Sequence, residues 1–322
     1  MRSPKAAPDA ARAPRLDRPS FGQRLLADIR KNWILYVMVL PVLAYYLLFS
    51  YVPMAGIQLA FKKYMIKKGI WGSPWVGLKN FSRFFKGYNF WTLIWNTMAI
   101  SLYSLVVGTV VPILFSVLIN YVRHKRWKKT LQMVTYLPYF ISNVVLVGML
   151  AIFLGDSGLI NALLQRLGLE AIPFLSSGKL FRSVYTWSGV WQGLGWGTIL
   201  YLAAMSGINT ELYEAAELDG ANRFQQCLHV TIPAILPTIS TLLVLNIGSL
   251  CGSAAFEKVF LLYTPTTYET ADIIATYVYR MGLGSGNYSY ATAVGLFQGV
   301  INLVLLTVAN KVSSWLTGSG LW

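Results

Sequence analysis

The chain has 322 residues, of which 55% are hydrophobic, 14% aromatic and only 12% charged. That balance excludes an ordinary soluble domain and makes a lipid bilayer the natural solvent. The net charge of +15 comes from Lys and Arg in tails and loops that flank apolar runs, so it reads as membrane topology, with no soluble domain to present a nucleic-acid-binding face.

Residues 1–32 are predicted to be a cytoplasmic tail. Its first 18 residues are rich in Ala, Pro and Arg, which disfavours a packed core. A secretory signal would begin its apolar core sooner and end in a small-residue cleavage site. The run "SFGQ" at residues 20–23 has capping-box spacing and predicts a short amphipathic helix on the membrane ahead of the first span.

Residues 33–322 are predicted to form the transmembrane domain. Six uncharged windows, residues 33–61, 90–122, 130–155, 184–210, 235–256 and 281–310, are long enough at about 1.5 Å per residue to cross a hydrocarbon core of about 30 Å. The expected fold is an all-α membrane protein with six transmembrane helices.

The loop "YVRHKRWKKT" packs five Lys and Arg into ten residues, which places it in the cytoplasm. Alternation then puts both termini and the loop 207–233 on the cytoplasmic side, with residues 62–87, 156–182 and 257–280 outside. One outer run, "FKKYMIKKG" at residues 61–69, sets four lysines against this order. Either that loop is long enough to translocate regardless of charge, or Lys62, Lys63, Lys67 and Lys68 meet something anionic.

Only Cys227 and Cys251 are present, which excludes a disulfide framework and a four-ligand metal site. His124 and His229 lie far apart in predicted cytoplasmic loops and fit solvated or packing roles better than metal ligation.

The stretch "EAAELDGANRFQQCLHVTIPAILP", residues 214–237, separates two spans. Burying Glu211, Glu214, Glu217 and Asp219 in hydrocarbon would cost on the order of 10 kcal/mol, so the segment must leave the membrane. It predicts a helix over 210–218 with acids near its positive end, a turn at Asp219-Gly220, and a second helix over 221–230 with Phe224 and Leu228 on one face. Pro233 and Pro237 are expected to end this elbow, and Ala215 and Ala216 leave room for a close neighbour. From the residues alone, an acidic loop that merely joins two spans explains the pattern as well.

The spacing tips that balance. Glu214-Ala215-Ala216, three residues, Gly220, nine residues and then Val230-Thr231-Ile232-Pro233 resembles the EAA signature of permease subunits from binding-protein-dependent ABC importers, with Val230 and Ile232 in place of the usual Ile and Leu. The resemblance implies the ABC importer type I permease fold. It also implies a cytoplasmic coupling helix whose Glu214, Ala215, Ala216, Asp219 and Gly220 dock on a separate ATPase. An acidic knob with small residues suits charge-assisted hydrogen bonds to a basic rim. No G-x-x-x-x-G-K-[ST] run occurs, so ATP and Mg belong to that partner and no cofactor is expected on this chain.

A second stretch, "SPWVGLKNFSRFF" at residues 73–85, resembles the G-L-x-N-F run of carbohydrate permeases through Gly77, Leu78, Asn80 and Phe81. With "YVPMAGIQLAFKKY" before it, the chain is most similar to the branch that imports oligosaccharides and polysaccharides, including alginate. Such permeases sit in the bacterial cytoplasmic membrane, paired with a second, related permease, two ATPase subunits and an extracytoplasmic solute-binding protein. The four outer lysines favour an acidic glycan.

No window contains Asp, Glu, Lys, Arg or His, which disfavours the main alternative, an ion-coupled carrier working without an ATPase. A membrane-embedded enzyme would need a nucleophile with a base, or clustered carboxylates, and none is found. The windows do hold amides, hydroxyls and flat rings suited to sugars. In "WSGVWQGLGWG", residues 187–197, Gly189, Gly193 and Gly197 follow a small-xxx-small pattern that lets helices approach closely. Gln192 and Trp196 share a face, and Trp196, about 18 Å along its helix, is too deep for an interfacial belt. Asn246, Ser249 and Ser253 form a polar stripe at that depth, while Tyr139 with Asn143 and Gln298 with Asn302 are further i, i+4 pairs. These groups either line a solute path or hydrogen-bond between helices. Resemblance to maltose-type permeases implies sugar contacts at about these positions, without matching residue types.

Overall fold

A computed structural model describes residues 22, 28–249 and 254–318, and every regular element among them is helical. Most of the predicted cap at residues 20–23 and the start of the helix after it lie outside the described residues; residues 28–31, just ahead of the first span, are helical. By packing, the chain divides into two units, residues 1–56 and 57–322.

Helix α1, Trp33–Tyr46, continues through a π turn, Leu47–Tyr51, and a 3-10 run, Ala55–Phe61. The resulting stretch Trp33–Phe61 matches the first predicted span. Apolar side chains such as Leu35, Met38 and Leu40 are exposed all round α1, as on a helix whose solvent is lipid.

The second unit contains α2 (Phe90–Tyr121), α3 (Lys125–Tyr136), α4 (Asn143–Leu154), α5 (Gly178–Ser206), α6 (Thr210–Leu218), α7 (Ile232–Ser249), α8 (Ala254–Leu262), α9 (Ile274–Tyr279) and α10 (Tyr288–Thr317). Five stretches among the described residues are both long and apolar enough to span: Trp33–Phe61, Phe90–Tyr121, Asn143–Arg166, Arg223–Gly248 and Tyr288–Trp315. Helix α5, with 29 residues, has the length as well, about 43 Å at 1.5 Å per residue, but Gly, Ser and Thr dilute its apolarity.

The third window, residues 130–155, is not one helix. After α3 the chain tightens into a 3-10 turn, Leu137–Phe140, and becomes extended at Ile141. It restarts at α4, where Ser142 Oγ accepts from the Val145 amide at 3.3 Å. Pro138 supplies no amide hydrogen, and Ser142 caps the new start. Unbroken apolarity across the window concealed this break.

Helix α5 packs along α2, and α10 along α7. Of the three glycines predicted to allow close approach, Gly189 faces Lys258 Nζ and Gly197 faces Pro112 of α2, at 3.0 and 3.4 Å from where a Cβ would sit, but the tightest approach is at Gly195, which the pattern omitted. A Cβ there would collide with the Thr135 carbonyl and the Tyr136 ring, whereas Gly193 faces open space.

A polar cluster ties residues 265–280 to α2 and α5. Asn96 donates to the carbonyls of Glu269 at 2.9 Å and Asp272 at 3.2 Å, and accepts from Arg182 at 2.9 Å. Thr97 Oγ1 accepts from the Ile274 amide at 3.0 Å, and Asp272 pairs with Arg280. Asn80 likewise holds the segment between the first two spans, donating to the carbonyls of Ala60 and Lys62. Lys62 itself is 2% exposed and donates to Gln58 Oε1 and to the carbonyls of Ile70 and Trp71. It is therefore a structural donor rather than a meeting point for an anion; Lys63, Lys67 and Lys68 remain exposed.

Gly195→Ala is expected to cost about 1–3 kcal/mol through overpacking. Gly193→Ala, in open space, should be neutral or slightly stabilising. Thermal melting of the two purified variants makes the comparison.

Candidate functional site

Helix α6 has the predicted bounds, and Asn209 caps it by accepting from the Glu211 amide at 3.1 Å. It ends in two backbone bonds, Gly220 N to Glu217 O at 3.0 Å and Ala221 N to Ala216 O at 2.9 Å. This is a Schellman closure, which requires the left-handed conformation that Gly220 adopts at φ 79°. Asn222 and Gln225 then form a reciprocal capping box at 2.9 and 2.8 Å, so the second helix starts at Arg223 rather than at residue 221.

The prolines do not end the elbow as predicted. The chain passes through a π turn, Cys227–Thr231, into α7, with Pro233 in the first turn and Pro237 inside the helix. A wider turn ahead of a proline accommodates its ring and missing amide hydrogen.

Two side-chain bonds brace the elbow: Tyr213 OH with Thr231 Oγ1 at 2.9 Å ties α6 to the turn that leads into α7, and Tyr121 OH donates to the Arg223 carbonyl at 3.0 Å from the end of α2. Val117, Met205 and Ile235 form a buried cluster that joins α2, α5 and α7. The outer surface is different. Glu211, Glu214, Ala215, Glu217, Asp219 and Gly220 are exposed, Ala216 is half-buried, and Leu218 and Phe224 are 90% and 71% exposed. Among the described residues none of these carboxylates has an ion-pair partner. The predicted coupling residues thus share one acidic, partly apolar surface on a stiffly fastened base.

A cavity of ≈ 370 Å³, within the size range of small-molecule sites, is bordered by α2, the turn after α3, α5, α7 and α8. It brings together Tyr139, Gln192, Trp196 and Asn246. The Tyr139 and Trp196 rings stack at 4.5 Å with 5° between their planes. Gln192 Nε2 donates to the Ile141 carbonyl at 2.7 Å, satisfying the backbone where α3 and α4 part. Gly189, Gly193 and Gly197 line the cavity with bare backbone.

Asn143 does not line this cavity. The break at Ile141 removes the helical face it was expected to share with Tyr139, and it donates instead to Glu257 Oε2 at 2.7 Å. The Ser249 side chain and Ser253 lie outside the described residues. Gln298 and Asn302 border a separate cavity with Phe256 and Tyr279.

Sequence reasoning missed Lys258, which also lines the cavity. It lies two residues past the fifth predicted window, where a charge reads as an outer loop. The apolar run "VFLL" immediately after it was the signal that the helix, and its burial, continue. Among the described residues no group of His, Cys, Asp and Glu is placed to hold a metal ion.

Residues 108–317 match the family described as binding-protein-dependent transport system inner membrane component. The chain is 42% identical over 317 residues to the polygalacturonan/rhamnogalacturonan transport system permease protein YteP of Bacillus subtilis (strain 168), covering 97% of this chain and 98% of that one. It is also 42% identical to a chain in the crystal structure of a bacterial ABC transporter involved in the import of the acidic polysaccharide alginate, with a TM-score of 0.85 over 91% of this chain and 99% of that chain. The same identity and TM-score hold for a bacterial alginate ABC transporter in complex with alginate pentasaccharide-bound periplasmic protein, covering 92% of this chain and 100% of that one.

Gly220→Ala should destabilise the elbow by about 1 kcal/mol because the left-handed turn penalises a Cβ. Asn222→Ala should cost about as much through the lost cap. Hydrogen exchange is expected to show faster exchange around residues 216–226 in both variants, with the spans unchanged.

Proposed function

The chain belongs to the family of binding-protein-dependent transport system inner membrane components, and we propose that its exposed elbow is the coupling helix through which a separate ATPase drives glycan import. It is the permease subunit of an ATP-driven ABC importer for oligosaccharides or polysaccharides, an integral membrane transport component. The observation that carries the coupling role is the elbow's geometry. An acidic, partly apolar knob at EAA spacing faces outward, while Tyr213, Thr231, Tyr121 and Arg223 brace its base against the turn into α7 and the end of α2.

In this reading Glu214, Ala215, Ala216, Asp219 and Gly220 form the docking surface. ATP-driven closure of two ATPase subunits moves the elbow as a rigid body, and α5 and α7 move with it to alternate access between the two sides. ATP and Mg act on the ATPases, and this chain binds no cofactor. A second, related permease completes the pathway. An extracytoplasmic binding protein delivers the solute, as the periplasmic protein in the complex of the similar alginate transporter supports. The basic loop at 121–130, the elbow and both termini face the cytoplasm of a bacterial cell, with residues 1–32 as a tail and 33–322 as the membrane domain.

The solute path runs by Tyr139, Gln192, Trp196 and Asn246, and the sequence spacing of Ser249 and Ser253 from Asn246 assigns them to the same path. Aromatic faces suit the apolar faces of sugar rings, and amides suit hydroxyls. The substrates named for the similar permeases, polygalacturonan and alginate, support an acidic glycan.

Glu214→Lys and Gly220→Asp should leave the helices inserted yet abolish ATPase co-purification or coupled uptake. Normal co-purification and transport in both variants would refute the docking role. The pair Trp196→Ala and Asn246→Leu is expected to lower uptake while assembly, followed by gel filtration, survives.

A further inference from the structure

Lys258 is 6% exposed, yet among the described residues it has no carboxylate partner. Its ammonium has three donors but makes one hydrogen bond, to the Tyr185 carbonyl at 2.8 Å, and lies 4.9 Å from the centre of the Tyr185 ring. Glu257, next in sequence, binds Asn143 instead. A buried cation without a counter-ion is costly, and such groups are ordinarily paired or neutralised.

The local backbone is arranged around this ammonium. A Cβ on Gly189 would lie 3.0 Å from Lys258 Nζ, so the bare backbone there leaves room for the ammonium in its present place. Gly193 leaves open space one turn further along the same wall. Gln192, Asn246 and the Trp196 ring border the same cavity, which supplies neutral hydrogen-bonding groups and one positive charge.

We propose that Lys258 binds the carboxylate of a uronate sugar in transit, making this cavity selective for carboxylated over neutral glycans. The inference rests on the cavity being the solute path. A carboxylate accepts the remaining ammonium donors through charge-assisted hydrogen bonds, whereas a neutral sugar leaves the cation without a counter-ion. Gln192 and Asn246 serve the hydroxyls, so the selectivity resides in one side chain.

The test uses the complete importer in proteoliposomes, with its partner permease, ATPases and binding protein. Uptake of an oligogalacturonate is compared with uptake of its carboxyl-reduced, neutral counterpart. The unmodified importer should favour the uronate. Lys258→Gln should lower uronate uptake about tenfold, the scale of one hydrogen bond to a charged group, and change uptake of the reduced probe by less than about twofold. Lys258→Arg keeps the charge and should retain most of the preference. An unchanged ratio in Lys258→Gln, equal loss of both probes in Lys258→Gln and Lys258→Arg alike, or an unmodified importer without preference for the uronate would overturn the proposal.

Gly193→Trp separates the underlying reading from this inference by filling the cavity. If it leaves uptake of both probes intact, the cavity is not the path and the underlying reading fails. If it blocks uptake while Lys258→Gln keeps the preference, only the role of Lys258 fails.

Discussion

In hydrocarbon no water satisfies a backbone amide or carbonyl, so a membrane chain stays helical unless other groups stand in for the lost bonds. Three interruptions among the described residues have such substitutes, the first inside a predicted span window and the other two in segments predicted to flank the spans. At residues 141–142, Gln192 donates to the Ile141 carbonyl and Ser142 caps α4. At 219–222, the Schellman bonds and the capping box close and reopen the helix. Around residues 269–274, Asn96 and Thr97 supply the partners. The first two breaks border the cavity and form the elbow, so the places where the helical rule yields are also where the candidate function concentrates.

The same helices connect those two places. Gln192 and Trp196 lie on α5, which ends at Ser206 just before the elbow, and Asn246 lies on α7, which begins just after it. From Gln192 to Ser206 the helix rises about 21 Å at 1.5 Å per residue. The buried cluster of Val117, Met205 and Ile235 locks the elbow ends of α5 and α7 to α2. A displacement of the elbow therefore reaches the cavity through stiff rods, without a chain of small side-chain shifts between them.

Much of this was legible in the sequence because it rests on coarse energies. Four acids between apolar runs set α6 apart from the spans, and its bounds were legible from the acidic first turns and the Asp219-Gly220 turn, while the Asn209 cap was not read from the sequence. Membership of the permease family followed from the spacing of Glu214, Gly220 and Pro233. The break at Ile141 was hidden because hydropathy does not change across it, and with it went the expected pairing of Tyr139 with Asn143. Lys62 and Lys258 show the same limit from opposite sides. Both are charged residues near span ends and both read as outer-loop charges, but one satisfies loop carbonyls while the other reaches the cavity. Which way a lysine turns depends on tertiary neighbours such as Gly189 and Tyr185, and one-dimensional pattern does not encode them.

The π turn at Cys227–Thr231 has a geometric consequence of its own. It carries one residue more than α-helical winding needs, and each residue of an α-helix advances the azimuth by about 100°. That surplus residue clocks the start of the second elbow helix against the far end of α7. Removing it would spin Asn246 away from the cavity by roughly a quarter turn while leaving the length and hydrophobicity of the span almost untouched.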